Sequence, residues 1–265
     1  MILTLFKKTL KQNWKLLMIF FAVLIMYMSI MISMYDPEDM ASILAMLELF
    51  PRELLSAMGF SNTITDFTSY LAGWLYGLLM SGFPLVYCII LGNRLVAKMV
   101  DDKSFGFLLS TPNSRVKIVI TQGLYSLFSI FVLFAVLFGS GVAMASAIYP
   151  GLLDVGAFLK LNLITMLLNM FVMMICFFFS CLFNESKQAL GLASAITVVS
   201  LLMNMLGNTS PDLNVLKKLS YYGLYDPVEI AMGAEIWQFI ILFSLLAVVL
   251  FVFGVLIFNK KRLPI

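Results

Sequence analysis

Histidine is absent from the 265 residues of the sequence, and charged residues make up only 12% of it. Without an imidazole, the chain has no Ser-His nucleophile, no histidine metal ligand and no histidine proton shuttle. The scarcity of charge comes with 62% hydrophobic residues and a mean hydropathy of +1.02. Such a composition is far from that of water-soluble domains. We therefore expect an integral membrane protein.

Cysteines and carboxylates are also too few, or wrongly spaced, to predict a catalytic or metal site. Cys88, Cys176 and Cys181 all fall in or at the ends of apolar runs, where packing is the expected role. The Asp-Pro-Glu-Asp stretch at residues 36–39 is typical of a capped helix start, and it supplies too few oxygens for a calcium loop. We expect no catalytic residue, metal or cofactor in this chain.

Six apolar runs are long enough to cross the roughly 30 Å hydrocarbon layer as helices of about 20 residues. They cover residues 16–34, 70–91, 118–149, 158–183, 189–206 and 236–258. The sequence therefore predicts an all-α integral membrane protein with six transmembrane helices, arranged as a single transmembrane domain over residues 1–265.

Lysine and arginine are unevenly divided between the segments on the two sides of these runs. With a cytoplasmic N-terminus, the cytoplasmic segments are residues 1–15, 92–117, 184–188 and 259–265. They contain 13 of the 17 basic residues and only 3 of the 14 acidic ones. Because positive residues accumulate on the cytoplasmic side of membrane proteins, we expect a multi-pass protein with both termini in the cytoplasm.

The predicted spans contain almost no charge. Lys160 is the exception, and it lies near the outer end of the fourth run, where its side chain can reach the interface. Proton relays and voltage sensors need charges at membrane depth. A proton-coupled carrier is therefore disfavoured, whereas sodium coupling through carbonyl oxygens stays open.

The segments outside the spans have helical patterns of their own. Residues 1–15 are expected to form a cytoplasmic interfacial helix that lies on anionic lipid, because apolar residues occupy one side of the helix and lysines the other. Residues 35–69 predict short outer amphipathic helices. Residues 208–235 predict an outer re-entrant segment that packs on protein, with a helical turn opening at Asp226. The apolar side of the N-terminal helix consists of Leu3, Phe6, Leu10, Trp14 and Leu17.

Small residues within the spans predict close helix packing. A four-residue spacing lets helix backbones approach each other, either within the chain or against a second permease copy, and both alternatives stay open. Two stripes have this spacing: Gly139, Ala143 and Ala147 in the third run, and Gly73, Gly77 and Ser81 in the second.

Proline and asparagine add two further expectations for the spans. Pro84 should bend the second helix near its middle. Asn162, Asn169 and Asn204 are expected to hydrogen-bond across helices, with the lining of a transport path as the alternative.

The segment at residues 92–117 contains an apolar stretch, SFGFLLS, that is unusual for a cytoplasmic loop. The stretch ends at Thr111-Pro112. Apolar side chains flanked by charges commonly mark interaction sites. We expect a protein partner at this stretch, with a membrane-surface patch as the alternative and the N-terminal helix as a second contact.

The stretch GNRLVAKMVDDKSFGFLLSTPNSRVKIVITQ, at residues 92–122, resembles the first cytoplasmic loop of ABC-2 type transporter permeases, which carries a Leu-Leu-Ser-x-Pro-x-Ser-Arg pattern. The basic ending FNKKRLPI and the six-span layout are also similar to that family. Many members have Glu-x-x-Gly-Thr before the pattern, whereas Asp-Asp-Lys-Ser stands at residues 101–104 here, and Asp102 is the candidate replacement for the glutamate. The residues that match the pattern are Leu108, Leu109, Ser110, Pro112, Ser114 and Arg115.

The resemblance implies a type V exporter-like permease with an interfacial helix, a short cytoplasmic coupling helix and outer helices. It implies the membrane subunit of an ATP-driven exporter of the bacterial cell membrane, similar to permeases for antimicrobial peptides such as bacitracin and lantibiotics. The chain has no G-x-x-x-x-G-K-[ST] loop, so ATP and Mg are expected on a separate ATP-binding subunit, in two copies. A second permease copy or a paralogous permease and membrane lipid are the other expected partners, with no nucleic acid.

In this interpretation the apolar stretch seats in a groove of the ATPase, and closure of two ATPases rocks two permease halves between inward-open and outward-open states. Phe105, Leu108 and Leu109 are expected to fill an apolar socket on the partner. A secondary carrier or channel is the alternative function, and a structural or sensory membrane protein is the third. The expected coupling residues are Asp102, Phe105, Phe107, Leu108, Leu109, Ser110, Thr111, Pro112 and Arg115.

Overall fold

The structure, a computed structural model, describes residues 1–36, 49–57 and 66–263, and within them it is helical with no strand. Most of the predicted outer helices at residues 35–69 lie outside the described residues. The α-helices are α1 (Leu3–Met34), α2 (Arg52–Ala57), α3 (Phe67–Leu71), α4 (Leu79–Leu95), α5 (Ala97–Asp101), α6 (Phe105–Leu109), α7 (Arg115–Ile148), α8 (Val155–Leu182), α9 (Ser186–Gly207), α10 (Asn214–Leu219), α11 (Pro227–Ala231) and α12 (Trp237–Lys260).

Six helical units of the described chain are long and apolar enough to cross a membrane, which confirms the predicted all-α, six-span fold. Five are single helices: α1, α7, α8, α9 and α12. The second unit, Phe67–Asp101, combines α3, a π-helical turn at Ala72–Tyr76, α4 and α5.

The core is organised around α8, which packs against α4, α7, α9 and α12 and is the most buried of the six spans. Small residues allow these helices to approach closely. A Cβ atom added to Gly92 of α4 would come within 2.6 Å of Cβ of Cys176 on α8, and one added to Gly123 of α7 would come within 3.0 Å of Phe177. The three cysteines, at positions 88, 176 and 181, are buried and unpaired.

The second span is interrupted at the π-helical turn, while α4 continues through Pro84. Proline has no N–H, so the carbonyl of Met80 lacks its usual partner in the helix. The amide of Asn169 donates to that carbonyl at 3.2 Å from α8. The amide of Asn162 donates to the hydroxyl of Tyr76 at 2.9 Å. Hydrogen bonding across helices is therefore confirmed for these two asparagines.

Residues 1–15 continue into the first span without a helix end, as parts of α1. The side chain of Thr9 is buried and donates to Oε1 of Gln122 on α7 at 3.1 Å. Leu3, Leu10 and Trp14, on the predicted apolar side, are exposed. The polar bond attaches α1 to α7 and leaves these apolar side chains free, whereas their position at a membrane surface stays a prediction.

The two small-residue stripes differ in burial. Gly73 and Ser81 of the second span are buried inside the chain. Gly139 and Ala143 of α7 are exposed, and a Cβ atom on Gly139 would meet nothing within 4 Å. The stripe that begins at Gly73 is thus used for packing within the chain, and the stripe that begins at Gly139 is not.

The segment at residues 208–235 folds onto α8, α9 and the π-helical turn of the second span through α10, α11 and two 3-10 turns. Asp226 caps α11 as predicted, because its carboxylate accepts from the backbone N–H groups of Val228 and Glu229 at 3.1 and 3.2 Å. The hydroxyls of Tyr225 and Thr165 lie 2.7 Å apart and fasten the segment to α8. The backbone therefore packs on protein, as expected of this segment.

Candidate coupling surface

The site predicted from the sequence begins at the C-terminal end of α4, continues through α5 and α6, and ends at the start of α7. The helix breaks between α4 and α5, where the N–H of Ala97 donates to the hydroxyl of Ser180 on α8 at 2.7 Å. The carboxylate of Asp101 accepts from the N–H of Ser186, the first residue of α9, at 3.2 Å. Side chains of the central helix bundle thus fix where the loop starts.

A tight turn joins α5 to α6. Its central residue, Lys103, has a left-handed backbone with φ of 61°. The carboxylate of Asp102 accepts from the N–H of Ser104 at 3.0 Å, which stabilises the turn. Asp102 is exposed, so it both shapes the loop and leaves its charge accessible.

The single turn of α6 presents its aromatic side chains in opposite directions. Phe105 is fully buried, and its ring lies 5.1 Å from the ring of Phe258 on α12. Phe107 is 80% exposed, and Leu108 and Leu109 are half-buried. The expectation that Phe105 fills a socket on a partner is corrected, because its side chain is already enclosed by the chain itself.

The residues after α6 form an exposed polar corner. The hydroxyls of Ser110 and Thr111 donate to the carbonyls of Phe107 and Leu108 at 2.9 and 2.6 Å, which ends the helical turn. Pro112 and Arg115 are exposed too, and Arg115 donates to the backbone carbonyl of Lys261 at 3.4 Å. Ser110, Thr111, Pro112 and Arg115 are therefore accessible, as a coupling role requires.

Two cavities lie between α6 and the N-terminal part of α1, with volumes of about 230 and 160 Å³. Leu5, Lys8 and Leu108 line both of them. The larger cavity is also lined by Gln12, Met99, Ser104, Phe107 and Gln122. The N-terminal helix therefore contributes directly to the site.

The sequence predicted a second contact at the N-terminus but not Leu5, Lys8 and Gln122 as neighbours of α6. The available signal was a pair of polar residues, Thr9 and Gln122, in otherwise apolar surroundings. Such residues usually find each other across helices, and their bond sets the two segments side by side.

The C-terminal tail packs beside the site, against the ends of α8 and α12. The ammonium group of Lys261 donates to the carbonyl of Cys181 at 3.1 Å and lies 5.8 Å from the centre of the Phe258 ring. Partial burial lowers the pKa of Lys261 to about 8. Through Phe258, the same tail touches Phe105, so the coupling loop is connected to the last span.

No group of His, Cys, Asp and Glu in the part of the chain that the structure describes could hold a metal ion. The site offers an exposed aromatic side chain, an apolar cavity and surrounding positive charge. Such a surface is suited to binding a macromolecule and not to covalent chemistry.

A family model described as "ABC-2 family transporter protein" matches residues 5–263. No curated protein and no solved structure matches the chain. The family match covers nearly the whole sequence, including the six spans and the loop between the second and third spans. The chain therefore belongs to the ABC-2 family of transporter permeases and is a multi-pass membrane subunit of a transporter.

Proposed function

We propose that this permease is the membrane subunit of an ATP-driven exporter and that a separate ATP-binding subunit docks on its cytoplasmic end. The contact area, here called the coupling surface, consists of Lys8, Phe107, Leu108, Thr111 and Pro112. The observation that carries the proposal is the 80% exposure of Phe107 beside a cavity of about 230 Å³.

The surroundings of Phe107 favour a protein partner over lipid. The exposed residues that follow it, Ser110, Thr111 and Pro112, present polar atoms and a turn. Aromatic side chains within a polar rim are the usual anchors of protein interfaces. The lysine beside the cavity, Lys8, has a charge that an acidic residue of the partner would complement.

In the proposed complex, Phe105 positions α6 and does not itself contact the ATPase. Its ring packs on Phe258 at 5.1 Å, and Lys261 holds the same end of α12 to α8. A displacement of α6 by the ATPase would therefore be passed to the last span and to the central helix. Asp102 accepts from the N–H of Ser104 and so stabilises the turn between the two loop helices.

The remaining parts of the proposal concern the assembly. Two ATP-binding subunits, which hold ATP and Mg, act on two permease chains, either two copies or a copy and a paralogue. The complex lies in a bacterial cell membrane with both termini of this chain in the cytoplasm, as the excess of basic residues there indicates. The substrate that we propose from the family resemblance is an antimicrobial or amphipathic peptide or a lipid-like molecule.

The experiment is purification of the tagged permease with the ATPase in mild detergent, for the wild type, Phe107→Ala and Phe253→Ala. Phe253 is a matched control, because it is an exposed phenylalanine, at 54%, that lies within the apolar span α12 and lines neither cavity of the coupling surface. Truncating an anchor residue of an interface costs on the order of 1–4 kcal/mol of association free energy. We therefore expect the amount of ATPase that co-purifies with Phe107→Ala to fall by about five-fold or more.

Equal retention in both variants would contradict docking at Phe107. A wild-type permease that brings no ATPase with it, and that transports in liposomes with an ion gradient alone, would instead establish the carrier alternative. Measuring ATP hydrolysis in the same preparations shows whether the retained ATPase is functional.

A further inference from the structure

A small polar cavity lies on the other side of the molecule, where α4, α9 and the outer segment at residues 208–235 meet. Its volume is about 30 Å³. Each of the three elements contributes polar side chains to its wall: Ser81, Asn204, Asn208, Lys217, Tyr222, Tyr225 and Asp226.

Three of these side chains, those of Ser81, Asn204 and Tyr222, have buried polar atoms that find no hydrogen-bond partner among the described residues. Ser81 is fully buried, and its hydroxyl oxygen is unbonded. The side-chain oxygen of Asn204 is likewise enclosed and unbonded. Buried polar atoms in proteins are almost always satisfied, either by protein groups or by ordered water. These oxygens, with the unbonded hydroxyl of Tyr222, therefore indicate a small polar ligand in the cavity that their residues line.

The size of the cavity selects that ligand. A water molecule needs roughly 10–15 Å³ of such space and at least two polar partners. The cavity of about 30 Å³ therefore has room for about two water molecules and for nothing much larger. Lys217 and Asp226 also line a second, wider cavity of about 240 Å³.

We propose that this cavity is a hydration site, in which about two water molecules bind Ser81 and Asn204 beside the ring of Tyr222. Through it the outer segment is joined by water to the second and fifth spans. Bridging waters exchange partners more readily than direct bonds such as that from Ser220 to the carbonyl of Ser200, at 2.6 Å. The inference is independent of ATP coupling.

The test is radiolytic hydroxyl-radical labelling of the purified protein, because bound water generates radicals that modify the side chains next to it. Tyr222 is only 1% exposed and lines the cavity. Phe134 of α7 is fully buried and serves as a dry reference. After correction for intrinsic reactivity, we expect several-fold more label on Tyr222 than on Phe134.

The double variant Ser81→Ala with Asn204→Leu removes two of the three unbonded oxygens of the cavity and should reduce the labelling of Tyr222 to the level of Phe134. The variant Ser194→Ala, at a residue of α9 that does not line the cavity, should leave the labelling of Tyr222 unchanged. Labelling of Tyr222 no higher than that of Phe134 in the wild type would show a dry cavity and overturn the proposal, whether or not the double variant folds. Undiminished labelling in a folded double variant would overturn it as well.

Discussion

The cytoplasmic loop at residues 92–117 and the outer segment at residues 208–235 are both built from short helices between long ones, yet they are held differently. In the loop, α6 is anchored by the buried ring of Phe105, while Phe107 of the same turn is 80% exposed. In the outer segment, Tyr222 and Val228 are only 1% and 2% exposed, and direct hydrogen bonds reach α8 and α9.

This difference indicates two mechanical roles. A short helix held mainly by one aromatic contact can be displaced without unfolding the bundle, and its exposed face is available to a partner. The second half of the outer segment, residues 220–230, packs against the spans and resists displacement. The ATP-driven movement that we propose would therefore start at α6.

The largest stability effect is expected at the anchor of the loop. Phe105→Ala empties a fully buried site against Phe258 and should cost about 3–5 kcal/mol. Phe107→Ala removes only exposed surface and should change the unfolding free energy by less than about 0.5 kcal/mol. Thermal unfolding of the two purified variants measures the difference. Equal losses of stability would mean that Phe105 is not the anchor of α6.

The outer segment should be most sensitive where backbones touch. A Cβ atom on Gly223 would lie 2.0 Å from the carbonyl oxygen of Lys217. Gly223→Ala therefore forces the 3-10 turn that contains Gly223 away from α10. We expect a loss of about 1–3 kcal/mol, as for other overpacked sites.

Gly191→Ala is the matched control for this backbone contact. Gly191 lies within α9, and a Cβ atom there meets nothing within 4 Å. The same thermal unfolding assay should therefore show no loss. A tolerated Gly223→Ala would indicate that the outer segment is as loosely held as the loop.

A smaller effect separates the two serine caps of the outer segment. Ser210 and Ser220 each accept a hydrogen bond from a backbone N–H two residues later, at 3.3 and 3.1 Å. Only Ser220 also donates to α9, through the carbonyl of Ser200. Ser220→Ala should therefore cost about 1 kcal/mol more than Ser210→Ala. Similar melting temperatures would show that this bond contributes little to closing the segment.

The long elements were predictable because their signals are local. An apolar run of about 20 residues has few alternatives to a membrane helix, and Asp226 followed by Pro227 carries its own capping chemistry. All six spans and the turn at Asp226 were accordingly found from the sequence.

The parts that were missed depend on contacts far apart in the chain. Nothing within α6 says which phenylalanine is buried, since that is decided by Phe258 on the last helix. The π-helical turn at Ala72–Tyr76 interrupts the second span without a signal in the sequence, and α4 continues through Pro84, where Asn169 of α8 satisfies the carbonyl that the proline leaves free. The cavities beside Lys8 exist only because Thr9 and Gln122 set α1 beside the loop.

The pH response of the tail is the subtlest difference between the two ends of the molecule. Burial lowers the pKa of Lys261 from 10.5 to about 8, because the folded chain disfavours its charged form. The folded state thus binds fewer protons than the unfolded state between these values, so stability should rise slightly as pH increases from 8 to 10.5. Half-burial keeps that gain small.

Acylation of amines at pH 8 reports the same shift directly, because only neutral amines react. About half of a group with a pKa of 8 is neutral at that pH, compared with less than about 1% of an ordinary lysine. We expect the acylation midpoint of Lys261 to lie near pH 8, with peptide mass spectrometry as the readout. Phe258→Leu, which loosens the packing over Lys261, should shift its acylation midpoint toward higher pH. A wild-type acylation midpoint near pH 10.5 would mean that Lys261 is solvated and that the tail does not pack beside the coupling surface.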